Sequence, residues 1–189
     1  MRFQPVKLLS AVLVCGIAGL ALAATSLRAV PAQSTFGFVA SQAGAPVHGT
    51  FSKYTADIKF DPKDLAGSRF DVTIDLKSTA TKDKDRDQTL LGPDFFAADR
   101  FPSGHYIAEK FTDQGGGKYT ANGKLTLRDV TKDVPVAFTY ETKDGATWLK
   151  GSAKLARLDF GVGQGEWKAT DQVGNDVTVQ FSLRLEPSH

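Results

Sequence analysis

Asp176-Val-Thr-Val-Gln-Phe-Ser-Leu-Arg-Leu185 decides the fold. Val177, Val179, Phe181, Leu183 and Leu185 alternate with Asp176, Thr178, Gln180, Ser182 and Arg184, which is the period-two pattern of a strand with one buried face. The stretch before it, Asp159-Phe-Gly-Val-Gly-Gln-Gly-Glu-Trp167, is a Gly-rich turn between this strand and an earlier one that begins by Ala153. An apolar face of this length requires an enclosed partner surface. Only the tail Glu186-Pro-Ser-His189 follows, so the strand is expected to close a sheet on itself and remove an exposed edge.

Working back from there, the remaining staves are legible. Phe36 and Phe38 share a face in a strand over 30–40, and Ala56, Ile58 and Phe60 alternate with Asp57 and Lys59 in one over 47–60, with Gly44-Ala45-Pro46 as the turn between them. Phe70, Val72, Ile74 and Leu76 mark a third strand. Four more follow, over 103–112, 118–127, 130–142 and 146–157, so the closing strand makes eight. Pro135 removes a ladder hydrogen bond and is expected at a bulge or where its nitrogen faces no partner. Between the third and fourth strands the period-two pattern fails. Leu90, Leu91, Phe95 and Phe96 fit a short helix ending near Gly92-Pro93, read as a lid or plug. Residues 24–33 read as a short mobile lead. The fold predicted is all-β, an eight-stranded antiparallel up-and-down β-barrel with one helical insertion; a two-sheet sandwich is the alternative. The choice matters because such a barrel encloses a small ligand, whereas a sandwich fills its interior with its own side chains.

Residues 1–23 are of another kind. Arg2 and Lys7 precede an apolar run from Leu8 to Leu22, and Ala21-Leu22-Ala23 supplies small residues for cleavage, the layout of a secretory signal peptide. As a helix the run would be roughly 23 Å long, short of the ~30 Å hydrocarbon core, so no stable membrane span is expected after cleavage. Leu13-Val14-Cys15-Gly16 loosely resembles a lipoprotein box, but Val14 stands where a small residue is wanted. Cys15 is the single cysteine, so the mature domain, 24–189, is expected to have neither disulfides nor thiol chemistry. Loss of Arg2 and Lys7 leaves 21 basic against 21 acidic residues and no net charge. With no basic cluster interleaved with aromatics, nucleic-acid binding is not expected. The 13 Phe point to an aromatic interior.

The motifs that could carry chemistry fall away in turn. Asp83, Asp85 and Asp87 have the spacing of a calcium loop, but Gln88 replaces its Gly and Asp94 its Glu. Gly161-Val-Gly-Gln-Gly165 lacks the ending of a phosphate loop and leads into no helix; it reads as a turn where backbone approaches backbone. His48, His105 and His189 are too scattered for a metal site. No nucleophile elbow is present. Asp159 and Glu166 could form an acid/base pair, but capping the turn and pairing with Lys168 are the preferred reading. No enzyme is expected, and no metal or cofactor; a large apolar interior without catalytic groups points to binding.

In this order, Ser34-Thr-Phe-Gly-Phe38, Gly44-Ala-Pro-Val47, Thr73-Ile-Asp-Leu76, Arg86-Asp87, Pro93-Asp-Phe-Phe96, Phe101-Pro102, Gly123-Lys-Leu-Thr-Leu-Arg128 and the Gly-rich turn closely resemble the YceI-like family of bacterial periplasmic polyisoprenoid-binding proteins. The resemblance implies an extended, lipocalin-like barrel holding a long isoprenoid, such as a prenyl phosphate or a quinone tail, in its lumen, and a periplasmic location. A homodimer is a candidate assembly. The inward, ligand-binding set is then expected to be Phe36, Phe38, Phe51, Ile58, Phe60, Val72, Ile74, Leu125, Leu127, Val136, Phe138, Val179 and Phe181, where a one-residue slip would exchange faces. Leu90, Phe95, Phe96 and Phe101 are candidates for a plug that opens to admit the tail. Lys82, Arg86 and Arg100 are available to a charged head group. Beside the non-catalytic carrier stand two other readings: an enzyme or redox-associated module, favoured if Asp159 or His105 points into the lumen, and a stress-linked structural protein with a filled interior.

Overall fold

The computed structural model describes residues 26–188, so the signal-peptide reading of residues 1–23 lies outside the described residues. Eleven strands form one antiparallel sheet: β1 (Ser26–Ala29), β2 (Thr35–Gln42), β3 (Ala45–Phe51), β4 (Tyr54–Lys59), β5 (Arg69–Asp75), β6 (Thr79–Ala80), β7 (Ser103–Gly115), β8 (Lys118–Leu127), β9 (Val130–Lys143), β10 (Ala146–Ala156) and β11 (Asp176–Pro187), with helix α1 (Lys84–Leu91) between β6 and β7. The pairing closes. β11 pairs with β10 along one edge, while its other edge takes β2 at Thr178–Ser182 and β1 at Leu185–Pro187.

The eleven strands therefore make eight staves, β6 continuing the β5 stave beyond the 3-10 turn Leu76–Ser78 and pairing with β3 as β5 pairs with β4. β1 and β2 are one stave broken at Pro31, where a short 3-10 turn, Pro31–Gln33, interrupts the ladder. β3 and β4 are a second, broken at Ser52 and Lys53. From there each stave pairs with the next in sequence through β5, β7, β8, β9, β10 and β11, giving the up-and-down order that full closure requires. The start of the chain differs from the expected mobile lead. Ser26–Ala29 pairs on both sides, with β4 and β11, and Leu27 and Ala29 are buried. Four residues with only two apolar members are too short to show a period, which is why the pattern missed them.

Two local features keep the ring regular. The β8–β9 hairpin turns on Arg128 and Asp129, both at positive φ, as the twist-matched two-residue turn requires. Pro135 sits opposite Asn122 of β8, while β10 follows β9 only as far as Ala137, so the missing N–H faces no strand on that side.

One end of the barrel is filled. Phe60 lies 4.9 Å from Tyr119, 5.1 Å from Phe138 and 5.0 Å from Tyr140, and Phe70 packs 4.9 Å from Phe111 and 5.0 Å from Phe138, mostly edge-on or tilted. The opposite end is covered by two segments, 81–102 with α1 and 157–175 with the Gly-rich turn.

Candidate functional site

Between the aromatic floor and these covering segments lies a cavity of about 190 Å³. Side chains from every stave face it. Phe36, Phe38, Phe51, Ile58 and Val72 are buried, yet Ile74, Leu125, Leu127, Leu155, Val177, Val179 and Phe181 keep part of their surface accessible although they point inward. That is the mark of a hollow, because a filled core leaves inward apolar groups with none.

The lining has just two polar side chains among the described residues, Tyr106 and Arg157, and both are turned to backbone. The Tyr106 hydroxyl lies 3.0 Å from Ala121 O and 3.1 Å from Val134 O, sharing its proton across Gly123, and burial raises its pKa. Arg157 is 5% exposed and meets no carboxylate among the described residues. Its Nε donates to Gly174 O (2.9 Å), Nη1 to Val162 O (2.9 Å), and Nη2 to Trp167 O (2.7 Å) and Val173 O (2.8 Å), with Ala169 O at 3.5 Å. Burial pushes this guanidinium below its ordinary pKa, but a side chain so basic stays charged at neutral pH. It holds the segment 157–174 in a loop by its carbonyls, compensating by hydrogen bonds what it lacks in counter-charge.

The Gly-rich turn depends on that loop. Gly161, Gly163 and Gly165 all have positive φ, and the amides of Gly163 and Gln164 donate to Asp94 O at 2.7 and 2.8 Å. One carbonyl of the 81–102 segment thus ties it to the 157–175 segment, and Phe95 against Trp167, 5.4 Å between centroids, adds an apolar contact. Arg128 Nη1 donates to Pro93 O and Phe95 O, anchoring the β8–β9 turn to the same cover. On the far side, Ala43 N donates to Gln172 O and Gly174 N to Ser41 O, which docks the loop on the β2–β3 hairpin.

Of the residues expected inside, Phe36, Phe38, Phe51, Ile58, Val72, Ile74, Leu90, Phe95, Phe96, Leu125, Leu127, Val136, Val179 and Phe181 line the cavity. Phe60 and Phe138 point inward but do not line it, being consumed in the aromatic floor. Phe101 is outside, its ring 4.8 Å from the Arg100 guanidinium and 6.0 Å from that of Arg128. Residues that the reading missed include Tyr106, Leu149, Leu155 and Val162 of the wall. The alternation in β7 and β10 carried the signal for the first three; nothing carried it for Val162, which belongs to a turn.

The other candidates lie elsewhere. His105 Nε2 is 2.8 Å from Asp71 Oδ1 on the outer face, with Arg69 Nη2 3.0 Å from Asp71 Oδ2 and Arg69 also meeting Glu109. The hydrogen bond with His105, and then that with Arg69, holds the Asp71 carboxyl below its usual range against a modest desolvation. Asp159 and Glu166 are exposed. Asp83 caps α1, accepting from Asp85 N and Arg86 N at 3.1 Å, and Asp87 accepts from the Thr81 amide and hydroxyl at 2.7 Å. These carboxylates are occupied with the local backbone, and among the described residues no His, Cys, Asp and Glu group of metal-ligand geometry forms. No helix among the described residues is long and apolar enough to cross a membrane.

Fold and site together define a closed antiparallel barrel with an apolar lumen, filled at one end and capped by irregular segments at the other. The chain belongs to the YceI-like family, whose domain model matches residues 27–185. BcnA of Burkholderia cenocepacia is 32% identical, with a TM-score of 0.80 over 82% of this chain and 98% of that one. A UPF0312 protein of Vibrio parahaemolyticus is 27% identical over 162 residues, 82% of each chain. A domain of Saccharophagus degradans described as polyisoprenoid binding and implicated in plant cell wall breakdown superposes with a TM-score of 0.68 at 16% identity, over 88% of this chain and 99% of that one, and shares the fold.

Proposed function

We propose that this protein is a non-catalytic carrier of a long isoprenoid or similar lipid, held by its tail in the barrel lumen, and that it works in the periplasm after export. The observation that carries the reading is the lining: inward apolar side chains that remain partly accessible, with the two polar heads that the described residues give the wall, Tyr106 and Arg157, engaged by backbone carbonyls. A prenyl tail gains about 25 cal/mol for each Å² of apolar surface taken out of water. For about 40 carbons at ~0.8 kcal/mol each the sum would exceed the ~18–21 kcal/mol at which affinities saturate, so ordering the tail must absorb much of it. Moderate affinity is what a protein that both loads and delivers needs.

The enzyme reading has less support. His105 and Asp159, the groups that would have favoured it, are outside the lumen. The filled-interior reading has less support as well, since a cavity of about 190 Å³ remains among inward side chains that keep part of their surface accessible. At about 190 Å³ the lumen is smaller than the ~300–1,000 Å³ of a typical ligand pocket, so a long tail needs space beyond it or a wall that moves apart to admit it.

Native mass spectrometry with lipid extraction, on the mature protein purified from the periplasm of its own host, tests the proposal. A co-purifying mass released on denaturation and identified as an isoprenoid supports it. An empty protein that also fails to bind prenyl alcohols, prenyl phosphates and quinones in vitro overturns it.

A further inference from the structure

A second hollow of about 320 Å³ adjoins the lumen between α1 and the β2–β3 hairpin, and Phe38, Ala40, Leu90, Phe95 and Val173 line both. The rest of the second hollow's wall is mostly of a different kind: Ser41, Gln42, Asp83, Asp85, Arg86 and Thr89 supply polar groups, beside Val47 and the aromatic face of Trp167. Of the spaces beside the lumen, this polar one is where the oxygen-bearing end of a tail held there would find hydrogen-bonding groups. The inference therefore rests on the lipid-binding reading and concerns the head group.

The charges of the hollow are unfavourable to an anion. Two carboxylates, Asp83 and Asp85, face one guanidinium, Arg86. That guanidinium is already shared: Nη2 lies 3.4 Å from Asp83 Oδ2, Nε donates to Gln42 Oε1 at 3.1 Å, and Nη1 is 3.4 Å from Thr81 Oγ1. The cation deeper in, Arg157, gives its N–H groups to the carbonyls of Gly174, Val162, Trp167 and Val173. Lys82 and Arg100 do not line the hollow. A diphosphate would bring two or more negative charges beside the two carboxylates, where the one guanidinium of the lining already divides its N–H groups among Asp83, Gln42 and Thr81, so like-charge repulsion weighs against it. A hydroxyl or ketone needs only one or two hydrogen bonds, which the Ser41 hydroxyl and the Gln42 amide nitrogen can supply.

We propose that the hollow between α1 and the β2–β3 hairpin is a head-group site for an uncharged, oxygen-bearing head, a hydroxyl or carbonyl, and that its carboxylates discriminate against prenyl diphosphates. Asp83 and Asp85 are the residues that set this preference, and Trp167 stands beside the head.

The test compares geranylgeraniol with geranylgeranyl diphosphate, which share one tail, on the mature chain carrying Trp148→Phe. Trp148 is one of only two tryptophans and lies on the barrel exterior, so fluorescence then reports from Trp167 alone. The alcohol is expected to bind at least about ten-fold tighter, which is about 1.4 kcal/mol. The gap is expected to narrow with added salt, because the Debye length falls from about 10 Å at 0.1 M to about 3 Å at 1 M. It is also expected to narrow in Asp83→Asn/Asp85→Asn, where Asn keeps the cap of α1 but not the charge. Equal or tighter binding of the diphosphate overturns the head-group assignment and leaves the lipid-binding reading standing. So does a ten-fold gap that neither salt nor the double variant changes. Failure of both ligands to bind overturns the two together.

Discussion

A Cβ built on Gly163 would lie 1.7 Å from Nη1 of Arg157. The buried guanidinium occupies the space that a side chain at position 163 would need, and Gly163 has a φ of +91°, a backbone state that favours glycine independently. The two residues thus form one device: Arg157 gathers the carbonyls of the capping loop, and the absence of a side chain at position 163 lets it reach them.

Gly163→Ala should therefore destabilise the fold by at least about 2 kcal/mol, from backbone strain and overpacking together. Urea unfolding of variant and parent, read by midpoint at constant slope, checks this. A loss below about half a kcal/mol would mean that the guanidinium moves freely, contrary to its hydrogen bonding.

Arg157→Met keeps volume and removes the donors, leaving the carbonyls of Gly174, Val162, Trp167 and Val173 without their partner. A loss of about 3 kcal/mol or more is expected, since each buried unsatisfied group costs about 1–3 kcal/mol and water can relieve only some of them. Arg157→Lys should recover less than half, because a single ammonium cannot span carbonyls on several sides. Since Gly163→Ala and Arg157→Met act on one contact, their combined effect should fall short of the sum by about 1 kcal/mol, measurable in a double-mutant cycle.

The capping loop marks the limit of what sequence could tell. Strands announce themselves by period two, and β5, β8, β9 and β11 are found where alternation places them, because one face meets the lumen and the other water. Barrel closure also follows from the last strand, whose apolar face at Val177–Leu185 needs a partner. The 157–174 loop has no period. Arg157 is an ordinary strand-end cation in sequence, and its burial depends on carbonyls from residues up to 17 positions away. Phe60 and Phe138 illustrate a second limit: alternation puts them inside, but cannot distinguish a residue that fills the floor from one that borders the hollow. Phe101 fails for a third reason, since two guanidinium groups offer its ring an outside partner that no local pattern signals.

The ion pairs on the outer face give a pH prediction. Asp71 has a lowered pKa, so its charged form is favoured in the folded state. That contribution is fully present above the unfolded carboxyl pKa of about 3.9 and is lost as pH falls through the lower folded value. Its side chain is 37% exposed, and solvent screening limits the effect to no more than about 1 kcal/mol. The stability difference between the parent and Asp71→Asn should accordingly shrink as pH falls from about 5 to about 2. A difference that persists unchanged at the acid end would assign the effect to packing rather than to charge.

The two ends of the barrel should separate stability from loading. Phe138 sits in the aromatic floor, against Phe60, Phe70, Phe111 and Tyr119. Phe138→Ala opens a cavity there and should cost about 3–5 kcal/mol, while molecules that remain folded keep the upper lumen and still take up a prenyl alcohol. Leu125 is its opposite: it is inward, partly accessible and beside open space. Leu125→Trp puts the added ring into the hollow, so the stability change should stay within about 1–2 kcal/mol, while uptake of the same alcohol falls by at least ten-fold, ~1.4 kcal/mol. Calorimetric titration with geranylgeraniol, alongside urea unfolding of each variant, distinguishes the two cases. If Leu125→Trp loaded normally, the tail would have to lie elsewhere than in the lumen, because the ring and a prenyl chain cannot share that space.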